Sequence, residues 1–354
     1  MRHGEIWPKD GMLEWDIGIF RVPKAIFYIM NLCVATERNY FPGFRLYGIR
    51  QSLIILVEMQ AFLRIYMKKH VDLHLHSHYS DGLHPPSELV RMAADKGLRA
   101  IAIADHDSVA GIDEALEAGE LVGVEVIPAV ELSVSYRDLR DVHLLGYLID
   151  HHDPLFAARL EEFRLSRDDR GRTILERINA RLSGEKKKNI AYEEVLAVAG
   201  GSVGRPHIAR VLINNGHARS IEDAFEKYLE PCNVPKFHIH IAEAITEIKR
   251  IGGVAVLAHP PSISKNMVTL KEIIRNLSEM GLDGLELFSN MCYKEDISYF
   301  NNLASQLGLL VTGGSDYHGF HEDEEIGKLR GGITVPYELV ERLRDAQDKL
   351  AQHE

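Results

Sequence analysis

From about position 70 the chain repeats one pattern: a short apolar run, then a longer stretch in which apolar positions recur at helical spacing. The runs at 71–75, 100–104, 125–130, 142–147, 254–258, 284–288, 309–312 and 332–335 read as strands. The stretches at about 108–121, 241–251, 270–280, 296–307 and 336–352 read as amphipathic helices. A further helix is opened by Pro85-Pro86-Ser87-Glu88 and closed at Gly97, with proline at its start and glycine at its end. Strand and helix in alternation predict an α/β fold built on a mostly parallel sheet.

Two regions break the rhythm. Residues 151–240 carry helical patterns rich in Arg, Glu and Lys but no convincing strand, so they are expected to form a helical insertion. In a barrel, an insertion between strands sits over the mouth where the βα loops lie, which makes this one an expected cap. Residues 1–66 hold both tryptophans, Trp7 and Trp15, without a period that would pack them, and Met67 begins a stretch that reads like a natural start. The expected organisation is therefore an extension at 1–66, a first barrel part at 67–150, the cap at 151–240 and a second barrel part at 241–354.

The 354 residues are 45% hydrophobic and 26% charged, an ordinary globular composition. A net charge of −11 argues against a broad basic face for duplex nucleic acid. Cys33, Cys232 and Cys292 form no C-x-x-C unit, so a cytoplasmic protein without a disulfide framework or a cysteine zinc site is expected. The apolar stretch at 17–35 is interrupted by Arg21, Pro23 and Lys24, and no membrane span is expected there.

The candidate chemistry lies where the strands end. His74 and His76 close the first, His106 follows the second within Ala104-Asp105-His106-Asp107, and Glu131 closes the third. His143 begins the fourth, His259 follows the apolar run at 254–258, and Asp316 with His318 follows the run at 309–312. The C-terminal ends of parallel barrel strands converge on one face, so these groups are expected in one pocket. Imidazoles mixed with carboxylates suit zinc, manganese or iron better than magnesium or calcium. In an extended chain the two histidines of His74-x-His76 point the same way and can grip one ion, and Asp316-x-His318 repeats the spacing. A glutamate such as Glu131 can bridge two ions. Asp105 and Asp107 have an alternative use as helix caps, and His151, His152, His321 and His353 read as solvated.

Taken together, Val71-Asp72-Leu73-His74-Leu75-His76-Ser77, Ser80-Asp81-Gly82, Ala104-Asp105-His106-Asp107, Glu131, His143, Ala258-His259-Pro260 and Gly314-Ser315-Asp316-Tyr317-His318 resemble the PHP (polymerase and histidinol phosphatase) phosphoesterases. The resemblance implies a distorted (β/α)7 TIM-like barrel with a helical cap and two or three divalent ions of manganese, zinc or iron. It places a first ion on His74, His76, Glu131 and Asp316, a second on Glu131, His143 and His259, and a third on Asp81, His106 and His318. Asp81 stands where some relatives have histidine. Gly204-Arg205-Pro206-His207 within the insertion is most similar to the stand-alone bacterial subgroup that removes a phosphate from 3′,5′-nucleoside bisphosphates and, in part, trims short RNA from its 5′ end. The expected partner is a small phosphorylated nucleotide or a short RNA 5′ end. Arg205 and His207 become candidate phosphate binders, because a guanidinium fork matches phosphate oxygens. Arg167 and Arg170 read as a solvated face. The implied reaction is hydrolysis of a phosphate monoester by a metal-activated hydroxide, with Asp105 or His318 assisting proton transfer. Rival readings are a histidinol-phosphatase-like enzyme, a phosphodiesterase for cyclic or oligomeric nucleotides, and a metal-stabilised regulatory module without activity.

Overall fold

The computed structural model describes residues 70–352 except 200–202, 236–237 and 321–324. The expected extension at 1–66, with both tryptophans, lies outside the described residues, as do His321 and His353.

Strands β1 (His70–Leu75), β2 (Ala100–Ile103), β3 (Glu125–Tyr136), β4 (Leu139–Tyr147), β6 (Val254–Leu257), β7 (Gly284–Phe288) and β8 (Leu310–Gly313) form a continuous sheet in the order β8-β7-β6-β4-β3-β2-β1. The short β5 (Ile239–His240) adds to β3, and β9 (Val335–Pro336) pairs antiparallel with β1. Just past β8, the His76 N–H donates to the Tyr317 carbonyl at 3.0 Å and the Asp316 N–H to the His74 carbonyl at 2.9 Å, which brings the two ends of the sheet together. The result is a distorted, nearly closed (β/α)7-type barrel.

The distortion lies in β3 and β4. Where the apolar pattern suggested a strand ending at 130, β3 runs on to Tyr136 and turns back into β4, which is antiparallel to both β3 and β6. The sheet is mostly parallel, as expected, but is interrupted by the reversal of β4, which the apolar pattern did not reveal. An alternating strand and a βα strand share the same local period, so the sequence pattern does not report direction.

Along β2, Ala100 and Ala102 share the inner apolar cluster with Ile127, Ala129, Leu145, Tyr147, Val254 and Val256. Ile101 and Ile103 instead face helices α1 (Pro86–Asp95) and α2 (Ile112–Val122). Small inner residues and large outer ones suit a narrow barrel interior and wide gaps under the helices. The remaining barrel helices are α7 (Ile241–Arg250), α8 (Met267–Glu279), α9 (Lys294–Leu307) and α10 (Glu338–Ala351). The last helix closes the end where the parallel strands begin: Gln347 donates to the Leu148 and Gly252 carbonyls, and Leu339, Val340 and Leu343 join the inner cluster.

Between β4 and β5 lie α3 (Pro154–Gly184), α4 (Tyr192–Leu196), α5 (Arg205–Asn214) and α6 (Ile221–Ala224), the last running into a π-helical turn at Phe225–Leu229. Asp153 caps α3 by accepting from the Phe156 N–H at 2.8 Å, with Pro154 in the first turn. The start of α3 packs on the barrel through Phe156, Leu160 and Phe163. Its second half joins a separate apolar cluster, which includes Ile178, Leu182, Val195, Ile208, Leu212 and Tyr228. Among the described residues, no helix is long and apolar enough to cross a membrane.

Candidate metal centre

The rim at which the parallel strands end is held in shape by buried carboxylates and by glycines that admit backbone contact. A side chain at position 314 would put its Cβ 2.3 Å from both Cβ and N of His74, and one at 82 would stand 2.1 Å from the His76 carbonyl oxygen. Only glycine lets these segments lie so close. Asp105 accepts from the Ser77 N–H at 2.7 Å, the Ser77 hydroxyl at 2.6 Å and the Ser80 hydroxyl at 2.6 Å, which pins the loop after His76. Asp72 accepts from the Ser315 N–H at 2.8 Å and the Gly327 N–H at 2.7 Å, which pins the loop carrying Asp316.

Asp107, His259 and Asp316 adopt left-handed backbone at φ 51°, 26° and 57°. Such a conformation costs a non-glycine residue about 1–3 kcal/mol, and persists only where its surroundings over-determine it. Each has a buried anchor. The Asp107 N–H donates to the Glu131 carbonyl at 2.9 Å, that of His259 to Glu286 Oε2 at 2.8 Å, and that of Asp316 to the His74 carbonyl.

The donor atoms so placed fall into three groups. In the first, His74 Nε2 lies 3.1 Å from His76 Nε2, 3.5 Å from Glu131 Oε2 and 3.6 Å from Asp316 Oδ1. His76 Nε2 lies 3.4 Å from Glu131 Oε2 and 3.1 Å from Asp316 Oδ1. Ligands at zinc-type bond lengths around a tetrahedral ion stand roughly 3.4 Å apart, so this set fits one cation. In the second group, Glu131 Oε1 is 3.1 Å from both His143 Nδ1 and His259 Nε2, which are 3.3 Å from each other. The third is looser: Asp81 lies 3.3 Å from His318 Nε2, 3.8 Å from His106 Nε2 and 3.7 Å from His76 Nδ1. Glu131 thus offers one oxygen to each of the first two groups. Its Oε2 also lies 2.9 Å from His106 Nδ1, so His106 faces the same oxygen. Carboxylate and imidazole lone pairs converging at one point, without well-aligned hydrogens between them at Glu131 Oε2, Asp81 Oδ1 and His106 Nδ1, fit a site made for cations.

His143 reaches the rim because β4 is antiparallel. Residues 143, 145 and 147 share one face of the strand, and so do 127, 129 and 131 of β3, with the polar member of each series toward the rim. Direct pairing sets Glu131 opposite Leu145 and His143 opposite Ser133.

Burial opposes charge throughout the cluster, yet the surrounding imidazoles hold the Glu131, Asp81 and Asp316 carboxyls well below the ordinary carboxylate range. Against burial, Glu286 first and then Glu131 and Asp316 hold His74 well above the usual imidazole value, and Asp81 with Asp316 holds His318 up at about 10. His76 is pushed down by burial and by the neighbouring His318. The site is a negative basin that collects cationic charge.

The insertion meets this basin at the start of α5. Gly204 packs on Asp81, since a Cβ at 204 would lie 3.9 Å from that of Asp81. The Gly204 N–H donates to His207 Nδ1 at 3.0 Å. That bond leaves the ring proton on Nε2, which is buried and has no partner. Burial, opposed by Asp81 and reinforced by Arg210 and Arg167, pushes His207 down to about 4, so it is neutral near pH 7. Arg205 instead lies over the Phe225 ring within the insertion, 5.4 Å from its centroid, while Arg210 lies 5.7 Å over Phe320, two residues past His318. Arg167, expected on a solvated face, is buried and pairs with Asp107, which also accepts from the Ser133 N–H and hydroxyl. Arg170 bonds the Val234 carbonyl and Asn233 inside the insertion. Asp105 and Asp107, for which helix capping was the alternative, instead bind the loop after β1 and Ser133 of β3.

Glu286 escaped the reading of the sequence. It is fully buried on β7, accepts from His74 Nδ1 at 2.9 Å and so sets which ring nitrogen His74 turns toward the cluster. Its signal was present as a lone carboxylate between Leu285 and Leu287 in an apolar strand, and Asp72 between Val71 and Leu73 is the same kind of signal. Arg210 had no such mark, since a basic residue on an exposed-looking helix is ordinary.

A barrel with imidazoles and carboxylates gathered at its strand ends belongs to the class of metal-dependent hydrolases. The PHP domain family matches residues 72–244. A 5′-3′ exoribonuclease from Haemophilus influenzae is 33% identical over 71% of this chain and 91% of its own length. A 3′,5′-nucleoside bisphosphate phosphatase from Chromobacterium violaceum is 30% identical over 70% of this chain and 87% of its own. A crystal structure from Bifidobacterium adolescentis, described as a metal-dependent phosphoesterase, superposes with a TM-score of 0.69 at 31% identity, covering 78% of this chain and 95% of that one. The chain belongs to the PHP family of metal-dependent phosphoesterases, and is a hydrolase.

Proposed function

We propose that the chain removes phosphate from small nucleotides, converting a 3′,5′-nucleoside bisphosphate to a 5′-nucleotide and inorganic phosphate. The observation that carries this reading is the joint placement of the Glu131-centred donor groups and the unpartnered His207 Nε2–H at the start of α5. The donor groups suit two or three ions of manganese, zinc or iron: His74, His76, Glu131 and Asp316 for the first, Glu131, His143 and His259 for the second, Asp81, His106 and His318 for the third. When bound, such ions neutralise phosphoryl oxygens and bring the pKa of water toward neutrality.

The remaining work falls to the chain's own residues. Glu131 and Asp316 hold negative charge that keeps cations in register, while Asp105 keeps Ser77 and Ser80 fixed beneath His76. His207, neutral and buried, donates Nε2–H to a phosphate oxygen, and Arg210 beside Phe320 supplies cationic charge and a ring face for the nucleoside part. Arg205 serves this end through the packing of the insertion over Phe225, and residues 151–240 act as the cap. Water adds to phosphorus, the ester P–O bond breaks in line, and the departing oxygen takes a proton. His318, the most exposed imidazole of the cluster, is the carrier when no cation sits on Asp81.

A second reading, removal of nucleotides from the 5′ end of short RNA, is supported by the likeness to the Haemophilus influenzae enzyme. Both are tested by elemental analysis of the purified protein joined to a panel of 3′-phosphoadenosine 5′-phosphate, 5′-AMP, histidinol phosphate and short 5′-phosphorylated RNA. Phosphate release from the bisphosphate above all others is expected. Turnover of none of them with manganese, zinc or iron present overturns the proposal.

A further inference from the structure

A second convergence of imidazole and carboxylate lies outside the central cluster, at the root of the insertion. His151 Nε2 stands 2.9 Å from Asp113 Oδ1 and His152 Nε2 stands 3.4 Å from the same oxygen. The two rings are 4.1 Å apart, and one donor atom from each of the three residues lies within 4.8 Å of the others. From these contacts we infer that His151, His152 and Asp113 form a peripheral site for one borderline divalent cation of the zinc type.

Three arguments carry the assignment. First, the two His–Asp spacings, 2.9 and 3.4 Å, are close to the roughly 3.4 Å between ligands of a tetrahedral zinc-type ion, and two imidazoles with one carboxylate make a donor set that leaves one position open to water. Second, the donors are held in place by bonds that do not use them. The Asp150 N–H donates to the Ile251 carbonyl at 2.9 Å, the His152 N–H to Asp150 Oδ1 at 3.1 Å, and the Asp153 N–H to the Asp150 carbonyl at 3.3 Å. Asp153 is itself gripped by two Arg250 nitrogens at 2.9 and 2.7 Å while it caps α3. Asp113 sits in the first turn of α2, so a rigid helix presents the carboxylate and a pinned turn presents the rings. With the backbone pinned in this way, only side-chain rotamers remain to be ordered, so the site loses less freedom on binding than one carried by a mobile loop. Third, the charge fits, since a single dication takes a lone pair from each ring and offsets the carboxylate's charge.

The exposed His–Asp pair alone is worth little. With a cation it becomes a clip between the turn that starts α3 and the first turn of α2. Helix α3 carries Arg167, whose partner Asp107 neighbours His106. Occupancy of the clip therefore stiffens the root of the insertion without touching any of the central donors.

The test uses the full chain, with its central cations in place, dialysed to equilibrium against a zinc series and then analysed for metal content. Wild type is expected to bind one more zinc equivalent than His152→Ala, and Asp113→Asn to behave like His152→Ala. Added zinc is expected to raise the melting temperature of the wild type more than that of either variant. Since the His152 side chain is 69% exposed, its removal leaves the core alone. Equal zinc equivalents in wild type and His152→Ala would overturn the inference.

Discussion

The barrel rim and the insertion meet at one point and are built on opposite terms. At the rim, charged groups are buried and their positions are set by backbone: left-handed residues, glycines in backbone contact and carboxylates saturated by loop donors. In the insertion the interior is apolar, and few polar groups face the rim: His207 and Arg210 from α5, and Arg167 from α3. Rigid strands place chemistry to within tenths of an ångström, which cations demand. A helical unit with its own apolar cluster can be exchanged or reshaped without disturbing that placement, which suits the selection of a substrate.

If this division holds, substitutions at the rim change metal content and turnover together, while those in the insertion change substrate binding alone. The largest effect is expected for Glu131→Gln, which removes the negative charge shared by two donor groups. Turnover should fall on the order of a thousandfold, with metal loss seen by elemental analysis. Glu286→Gln comes next: His74 loses its carboxylate partner, and metal affinity should weaken by about 10–100-fold in a chelator competition while the substrate KM of fully loaded protein stays near wild type. His207→Ala should raise KM for a bisphosphate nucleotide by about tenfold, the value of one hydrogen bond to a charged group, at unchanged metal content. Loss of metal in His207→Ala would erase the distinction between the two regions.

A smaller effect concerns protons. In the metal-free protein His318 is held at about 10 and so carries a proton at pH 7, and His74 is held well above its ordinary value and so keeps a proton more readily than a free imidazole. Cations need neutral rings, so metal uptake at pH 7 should release protons and apparent affinity should rise with pH. Calorimetry in buffers of different ionisation enthalpy measures this release. The carboxyls act at the other end of the scale. Glu131, Asp81 and Asp316 titrate below their ordinary values, so the stability they contribute is present above the usual carboxylate range and is lost as pH falls through their lowered values. Acid unfolding of metal-free Glu131→Gln should accordingly depend less steeply on pH than that of wild type.

Much of the barrel was legible because each strand announces itself by an apolar run and each candidate donor stands at a run's edge, as with His106 after Ala104 and His259 after Ala258. What the runs did not carry was direction. His143 looked like an exception at the start of its strand until the reversal of β4 brought it beside Glu131. The insertion was recognisable as helical, but its inward face was not. Arg167, Arg205 and Arg210 differ little in local context, and only packing turned the first to Asp107, the second to Phe225 and the third to Phe320.

The sequence by itself determined most of the barrel elements, though not the end of β3, the short β5 or the place of β9, as well as the kind of donor at each strand end and the family, because those depend on residue type and short-range spacing. The tertiary structure alone decided which oxygen of Glu131 faces which imidazoles, that Glu286 stands behind His74, and which cations of the insertion reach the rim. Those are contacts between residues as much as 212 positions apart, and their geometry follows from strand direction, register and helix packing that no local pattern encodes.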